Sequence, residues 1–166
     1  MLIRSVLCLN FVFCTLLLAQ SEADILLPPP SGTNSVGTLI WHWVDESRLD
    51  EVTTEEDDHR EITVQVWYPA QKNNTAPPSP YAPYYQDRLD VGNWSSFKPE
   101  LPQSQGLLPV IVIAPGRGMP SHFYTYIAED LASHGYFVMA VNSPHSGRVA
   151  YPDGRIGNAR MEALLI

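Results

Sequence analysis

The chain has 166 residues and a formal net charge of −8, from ten Lys and Arg against eighteen Asp and Glu. This length suits a single domain, and an acidic chain without a basic cluster argues against partners such as nucleic acid or an anionic membrane surface. Both cysteines, Cys8 and Cys14, lie near the amino terminus. The rest of the chain therefore has neither a disulfide nor a cysteine nucleophile.

Residues 1–23 have the pattern of a signal peptide. Arg4 supplies a positive charge, Ser5 to Ala19 are almost entirely apolar, and Ser21 and Ala23 are small residues before a cut at Asp24. The apolar run is shorter than the roughly 20 residues of a membrane-spanning helix. We therefore expect a secreted, extracellular protein without a transmembrane anchor, whose mature part is residues 24–166.

Two strands are predicted next, because Val36 to Val44 is rich in β-prone residues and Ile62 to Tyr68 alternates apolar and polar side chains. The link between them, Asp45 to Arg60, is acidic. Its spacing matches no calcium-binding pattern and it lacks a glycine, so we predict a solvated loop.

Residues 69–109 are predicted to be an insertion, because they contain eight prolines and little periodic pattern. Two Asn-x-Ser/Thr sequences begin at Asn73 and Asn93. If the host glycosylates secreted proteins, both asparagines are candidate glycosylation sites and both loops should lie at the surface.

The stretch from Pro109 to Gly118 is the most informative, because it predicts a strand followed by a sharp turn. Val110 to Ala114 are apolar and suit a strand that is buried on both faces, and Gly116 and Gly118 let the backbone turn. A helix should follow and end at His134-Gly135, with an N-cap at Ser121.

Three apolar residues of that helix, Phe123, Ile127 and Leu131, recur on one face. Tyr136 to Val141 then predicts another short strand, and Ala159 to Ile166 the beginning of a further helix. Strand, glycine turn, helix and strand in this order are typical of an α/β-hydrolase fold.

Four segments carry a resemblance to a known family: Leu26-Leu-Pro-Pro-Pro-Ser-Gly, Val44-Asp-Glu-Ser-Arg-Leu-Asp50, Val64-Gln-Val-Trp-Tyr-Pro-Ala70 and Asp130-Leu-Ala-Ser-His-Gly-Tyr-Phe-Val-Met-Ala-Val141. In these the chain resembles the platelet-activating factor acetylhydrolase family of secreted α/β-hydrolases. The resemblance implies calcium-independent hydrolysis of a short sn-2 acyl chain on a phospholipid by Ser, Asp and His, with no cofactor.

The resemblance assigns the turn at Pro115-Gly116-Arg117-Gly118, where the family usually has His-Gly-x-Gly, to the oxyanion hole. It implies that Arg117 is the donor through its main-chain N–H, supported by Gly116 and Gly118. The chain contains no Gly-x-Ser-x-Gly nucleophile motif. We therefore expect an α/β-hydrolase fold truncated after its fourth strand and the start of the next helix, inactive alone, with nucleophile, acid and base beyond Ile166.

Other polar residues are weaker candidates. Ser143 and Ser146 flank Pro144-His145, but Asn-Ser-Pro-His-Ser-Gly is typical of a turn rather than of a catalytic serine. His145 in that turn and His122 near the glycine turn are candidate substrate contacts. His42 lacks a second and third ligand, so no metal site is predicted.

Two alternatives remain open besides a phospholipid esterase. The first is a polyester- or cutin-cleaving serine hydrolase of the same fold, which would also act on a lipid or small ester. The second is a secreted protein without catalytic activity that acts by binding.

Overall fold

The computed structural model describes residues 25–53, 55, 57–85, 90–100 and 106–160. The predicted leader and residues 161–166 of the predicted last helix lie outside these ranges. In chain order the elements are β1 (Ile25–Leu26), β2 (Ser35–Leu49), β3 (His59–Ala70), β4 (Val91–Gly92), β5 (Ser95–Phe97), β6 (Val110–Ile113), a 3-10 helix (Ser121–Tyr124), α1 (Thr125–Ser133), β7 (Phe137–Asn142), β8 (Val149–Ala150) and β9 (Ile156–Gly157). In the described ranges no helix is long and apolar enough to cross a bilayer.

A five-stranded mixed sheet forms the centre of the structure, in the order β5-β2-β3-β7-β6. β3 runs antiparallel to its neighbours β2 and β7, whereas β6 is parallel to β7 and β5 is parallel to β2. Parallel neighbours require a crossover connection, and α1 supplies it between β6 and β7. The predicted mixed α/β class is confirmed.

β3 is the central strand, and it is buried from Thr63 to Ala70. Successive side chains of a strand point to opposite faces, so β3 contributes to a core on each side of the sheet. On the helix side Trp67 packs with small and branched residues, namely Val36, Ala128, Ala132, Val138 and Ala140. On the other side Val64, Val66 and Tyr68 pack against the partly buried Leu39, Trp41, Ile62, Phe137, Met139 and Val141.

α1 turns its small residues towards the sheet. Ala128 and Ala132 are fully buried, whereas Phe123 and Ile127 on the predicted apolar face are 51% and 53% exposed. Small side chains let the helix approach closely, and a Cβ added at Gly32 would lie only 2.4 Å from the Ser133 backbone. α1 is thus seated on the sheet by Ala128, Ala132 and the partly buried Leu131, and its end is in close contact with the entry segment at Gly32.

The predicted N-cap at Ser121 is wrong. The chain enters α1 through the 3-10 helix, which has no side-chain cap. The buried Ser121 hydroxyl instead donates to Gln65 Oε1 at 3.0 Å and accepts from Asn142 Nδ2 at 3.0 Å, which ties the start of the 3-10 helix to the middle of β3 and to the end of β7. The predicted helix end is confirmed, because His134 is the C-cap and Gly135 follows with φ +98°.

The strand after Pro109 is confirmed at Val110–Ile113. The prediction that this strand is buried on both faces is wrong within the described residues. β6 lies at the edge of the sheet, where β7 is its neighbour. Val110 and Val112 are accordingly 59% and 62% exposed. An apolar run therefore indicated a strand here without fixing its place in the sheet.

The proline-rich segment contributes to the sheet. β5 pairs with Val36 to Thr38 of β2, and the two candidate glycosylation sites beside it differ. Asn73 is exposed and has a left-handed backbone with φ 64°. The Asn93 side chain is held on both ends, because its Nδ2 donates to the Ser79 carbonyl at 2.8 Å and its Oδ1 accepts from the Ser95 amide at 3.0 Å.

This difference predicts that a glycosylating host modifies Asn73 more completely than Asn93. A glycan replaces one of the two hydrogens on Nδ2, and at Asn93 this nitrogen already donates to the Ser79 carbonyl, so attachment there would crowd that hydrogen bond. We expect Asn73→Gln to remove most of the glycan mass and Asn93→Gln to remove little, as measured by intact mass with and without glycosidase. The reverse pattern would contradict the structure of this loop.

Glu129 of α1 is a buried carboxyl that ties the helix to the segment around β5. It is 1% exposed, and its Oε1 accepts from the Ser95 hydroxyl at 2.6 Å and from the Trp94 amide at 2.9 Å. Burial raises the pKa of this carboxyl, and the hydrogen bonds from Ser95 and Trp94 offset that rise only in part. Folding therefore shifts this carboxyl towards its protonated form relative to the unfolded chain.

We predict that Glu129 makes the protein less stable as the pH rises. Its contribution is fully present below its ordinary pKa and is lost as the pH passes through the raised folded-state pKa. Glu129→Gln keeps the shape and removes the titration, so the wild type should lose stability relative to this variant as the pH rises from below the ordinary pKa of glutamate through the raised folded-state pKa. Urea unfolding of both proteins measures this, and a difference independent of pH would contradict it.

Candidate functional site

Two turns meet at one edge of the sheet. β6 and β7 are parallel, so the turn after β6 and the turn after β7 both leave from their carboxyl ends. β2 runs in the same direction as β7, because each is antiparallel to β3. The residue after β2, Asp50, therefore lies at this edge as well. In open α/β sheets, ligands bind outside the carboxyl ends of the strands.

The first turn, Gly116 to Met119, is closed by the Met119 amide, which donates to the Gly116 carbonyl at 2.9 Å. Gly118 has φ +79°, a conformation that favours glycine. Gly116 has no positive φ, and a Cβ there would meet only Met119 Cγ at 3.9 Å. Of the two predicted glycines, Gly118 is thus the one that the backbone requires.

Arg117 lies between the two glycines and is exposed. The turn around it is fixed from both sides, since the Gly118 amide donates to the Ser146 carbonyl at 2.8 Å and the Gly116 amide donates to Tyr124 Oη at 3.4 Å. The orientation of the Arg117 peptide is therefore set by contacts with two other elements. Its role as an oxyanion donor stays a prediction.

The second turn, Ser143 to Gly147, packs directly on the first. A Cβ added at Gly147 would lie 3.2 Å from Gly118 Cα, so these two glycines allow a close backbone approach. The Ser146 hydroxyl donates to the Ser143 carbonyl at 2.9 Å. His145 has a left-handed φ of 60° and turns its ring away to Asp50. These contacts are those of a turn, as the sequence predicts for this segment.

His145 and Asp50 form a close pair, with 2.6 Å between His145 Nε2 and Asp50 Oδ2. Their side chains are 14% and 6% exposed. Burial acts to raise the pKa of the Asp50 carboxyl, but the hydrogen bonds from His145 and from the Val52 amide outweigh it and the pKa lies below its usual value. Asp50 is therefore ionised and held in place.

This pair corrects the prediction of a solvated loop for residues 45–60. β2 continues to Leu49, well beyond the predicted end of the strand, and this extension brings Asp50 to the carboxyl edge of the sheet. The partners His145 and Asp50 are separated by 95 residues. No local pattern links them, so the sequence could offer His145 as a candidate without indicating its partner.

A polar cavity of about 360 Å³ adjoins the pair. In its wall Glu61 accepts two hydrogen bonds from Arg155, at 2.6 and 3.0 Å, and lies 2.7 Å from His42 Nε2. Burial and the neighbouring Glu61 carboxylate raise the pKa of Tyr151 to about 12. Among these groups the sequence pattern marks only His42, and it offers no further metal ligands beside it. Within the described residues no three His, Cys, Asp or Glu side chains could together hold a metal ion.

His122, the other candidate substrate contact, follows the glycine turn and is buried. It is 3% exposed, and its ring meets those of Tyr81, Tyr85 and Phe123 edge-on at 5.3, 4.8 and 5.0 Å between centroids. Burial lowers its pKa to about 4, so the imidazole is neutral at neutral pH. Its Nδ1 has no hydrogen-bond partner. A contact with substrate stays a prediction.

No protein-family model and no curated protein matches the sequence. Among solved structures, the chain is similar to a ferulic acid esterase from Streptomyces cinnamoneus, with a TM-score of 0.74 and 30% sequence identity. The match covers 85% of this chain and 43% of that esterase, so the chain spans less than half of the esterase's length.

This likeness and the order of the strands show an α/β-hydrolase-type fold, as the sequence predicts. The resemblance to the platelet-activating factor acetylhydrolase family in particular stays a prediction.

Proposed function

We propose that this chain forms the amino-terminal part of a secreted carboxylic-ester hydrolase and supplies one side of its oxyanion hole. The observation that carries the proposal is the Gly116–Met119 turn, which is held at the carboxyl ends of parallel strands by the Gly118 to Ser146 hydrogen bond. The similarity to a ferulic acid esterase over 85% of the chain supports it.

The proposed chemistry is acyl transfer through a tetrahedral intermediate. A serine attacks the ester carbonyl, the carbonyl oxygen becomes negatively charged, and a main-chain N–H stabilises that charge. In α/β-hydrolases one such N–H comes from the turn after the third strand of the fold. We assign that strand to β6 of this chain, and Arg117 in the turn after β6 to the donor position. The donor is a backbone group, so the arginine side chain is not required for this role.

The nucleophile and its partners belong to the remainder of the proposed protein. The 166 residues contain no Gly-x-Ser-x-Gly motif. The Ser146 hydroxyl is engaged with the Ser143 carbonyl and the His145 ring with Asp50, which supports a positional rather than a nucleophilic role for this turn. We therefore propose that a serine, an acid and a histidine follow Ile166.

The substrate class has two candidates. The sequence resemblance favours a phospholipid with a short sn-2 acyl chain. The ferulic acid esterase likeness favours an aromatic ester instead. Hydrolysis of a short-chain phospholipid and of a feruloyl ester by the same intact protein, compared by kcat/KM, separates the two.

The proposal is tested on the intact protein that contains this chain. We expect its transcript to continue past codon 166 in frame into a Gly-x-Ser-x-Gly motif. We also expect it to hydrolyse p-nitrophenyl acetate and to be inactivated by a serine-reactive phosphonate. A stop directly after codon 166 would favour a secreted binding protein, and an intact protein without esterase activity would contradict the proposal.

Alone, residues 24–166 should hydrolyse p-nitrophenyl acetate only marginally faster than buffer does. Without a nucleophile and its base there is no route to an acyl-enzyme, and binding contributions alone leave only a small residual rate. A rate well above buffer that a serine-reactive phosphonate abolishes would contradict this prediction. Ser143→Ala and Ser146→Ala would then identify the source.

A further inference from the structure

The geometry points to a positioning role for the Asp50–His145 pair. We propose that this pair holds the Ser143–Gly147 turn against the Gly116–Met119 turn and so keeps the proposed oxyanion donor in place. The catalytic meaning of the pair rests on the proposed function, whereas its effect on the turn can be measured without any activity.

Asp50 is a fixed anchor. Its own amide donates to the Asp58 carbonyl at 2.8 Å, and its Oδ1 accepts from the Val52 amide at 3.0 Å. The carboxylate is thus held by the end of the hairpin between β2 and β3. Its second oxygen, Oδ2, faces His145 Nε2 at 2.6 Å.

His145 passes this constraint to the glycine turn through one peptide bond. The next residue, Ser146, uses its carbonyl to accept the Gly118 amide at 2.8 Å. The carbonyl of His145 itself accepts from the Arg160 amide at 3.1 Å. The carbonyls of His145 and Ser146 therefore both accept a hydrogen bond. The contact between the His145 imidazole and Asp50 is a third constraint on the orientation of this peptide.

The backbone at His145 needs such a tether. A left-handed conformation costs free energy in a residue other than glycine, and it persists only where the surroundings impose it. A short, largely buried hydrogen bond to an ionised carboxylate is of the strong type. Without it the segment has a route to relax, and the Ser146 carbonyl would move away from Gly118.

The chain offers a matched control. His42 and Glu61 form the same type of contact, from Nε2 to a carboxylate oxygen at 2.7 Å, and Glu61 lines the same cavity. Glu61 bonds to Arg155 and His42, not to either turn. Removing this pair disturbs the same edge of the sheet and should leave the glycine turn as it is.

The experiment measures amide hydrogen exchange of Gly118 in the intact protein, with Val66 in the core as an internal reference. Asp50→Asn keeps the side-chain size and removes the charge, and His145→Leu keeps a side chain of similar bulk and the cost of the left-handed backbone but has no nitrogen to bond Asp50. Each should speed Gly118 exchange by roughly tenfold or more at unchanged Val66 exchange. His42→Leu and Glu61→Gln should leave Gly118 exchange unchanged.

The double variant tests whether the two residues act through each other. If they do, Asp50→Asn with His145→Leu should speed Gly118 exchange no more than either single change. Independent effects that multiply would overturn the proposal. So would an unchanged Gly118, or an equal rise in the Glu61→Gln control. If a variant unfolds, its Val66 amide also exchanges faster. The Gly118 exchange of the other single variant then tests the proposal.

Kinetics add a readout that a merely structural pair would not move. If the pair positions the oxyanion donor, kcat for p-nitrophenyl acetate should fall by roughly tenfold or more in the Asp50 and His145 variants, with KM little changed. If the wild type hydrolyses no ester, the proposed function fails while the exchange result still decides the positioning role. Faster Gly118 exchange with full kcat would overturn the catalytic part alone.

Discussion

Replacing Gly118 with valine is expected to lower kcat/KM of the intact protein for a small neutral ester by roughly a hundred-fold or more, the usual effect of losing one oxyanion donor. Gly118 has φ +79°, and a β-branched residue does not adopt this conformation without strain. A Cβ there would meet no atom within 4 Å, so the effect is conformational rather than steric.

Two further variants make this result specific. Gly154 also has a positive φ, +89°, and open space around its Cβ position, but it lies in the β8–β9 turn. Gly154→Val therefore controls for backbone strain and should cost less than tenfold. Arg117→Ala should stay within a few-fold, because a main-chain donor needs no particular side chain. If Arg117→Ala abolished turnover while the fold survived, the guanidinium would be part of the chemistry and the backbone assignment would be wrong.

Trp67→Ala is expected to lower the free energy of unfolding by about 3–5 kcal/mol, because it leaves a large cavity in the core. Trp67 is fully buried between β2, β7 and α1. Its indole N–H has no hydrogen-bond partner, so the loss is one of packing. Trp67→Phe keeps much of the volume and should cost markedly less. Urea unfolding followed by circular dichroism measures both changes.

Trp43 provides the comparison for this core substitution. It stacks on Trp41 with 5.4 Å between ring centroids, but it is 47% exposed. Trp43→Ala should therefore cost far less than Trp67→Ala. Equal losses at the two positions would contradict the placement of Trp67 in the core.

The features that the sequence predicted are those with a local cause. Alternation along Ile62 to Tyr68 marks a strand because side chains there point to opposite faces. His134-Gly135 marks a helix end because glycine accepts φ +98° without strain. The Gly118 turn belongs to the same class. Each of these conclusions needs only a few neighbouring residues.

The features that the sequence missed depend on distant partners. The helix face with Phe123 and Ile127 shows a regular apolar pattern, yet Ala128 and Ala132 face the sheet because small residues allow closer contact. Asp50 contacts His145, which lies 95 residues away in the sequence, and this contact depends on β2 continuing to Leu49. Charge patterning in residues 45–60 gave no sign that one of several carboxylates would be buried.

A structure of the intact protein inactivated by a serine-reactive phosphonate tests the central claim most directly. The phosphonyl oxygen occupies the place of the oxyanion, and donors to it lie about 2.7–3.1 Å away. We expect Arg117 N to be one of these donors, with the Gly118 to Ser146 hydrogen bond retained. A phosphonyl oxygen bound by other groups, with the Gly116–Met119 turn outside hydrogen-bonding distance, would contradict the account.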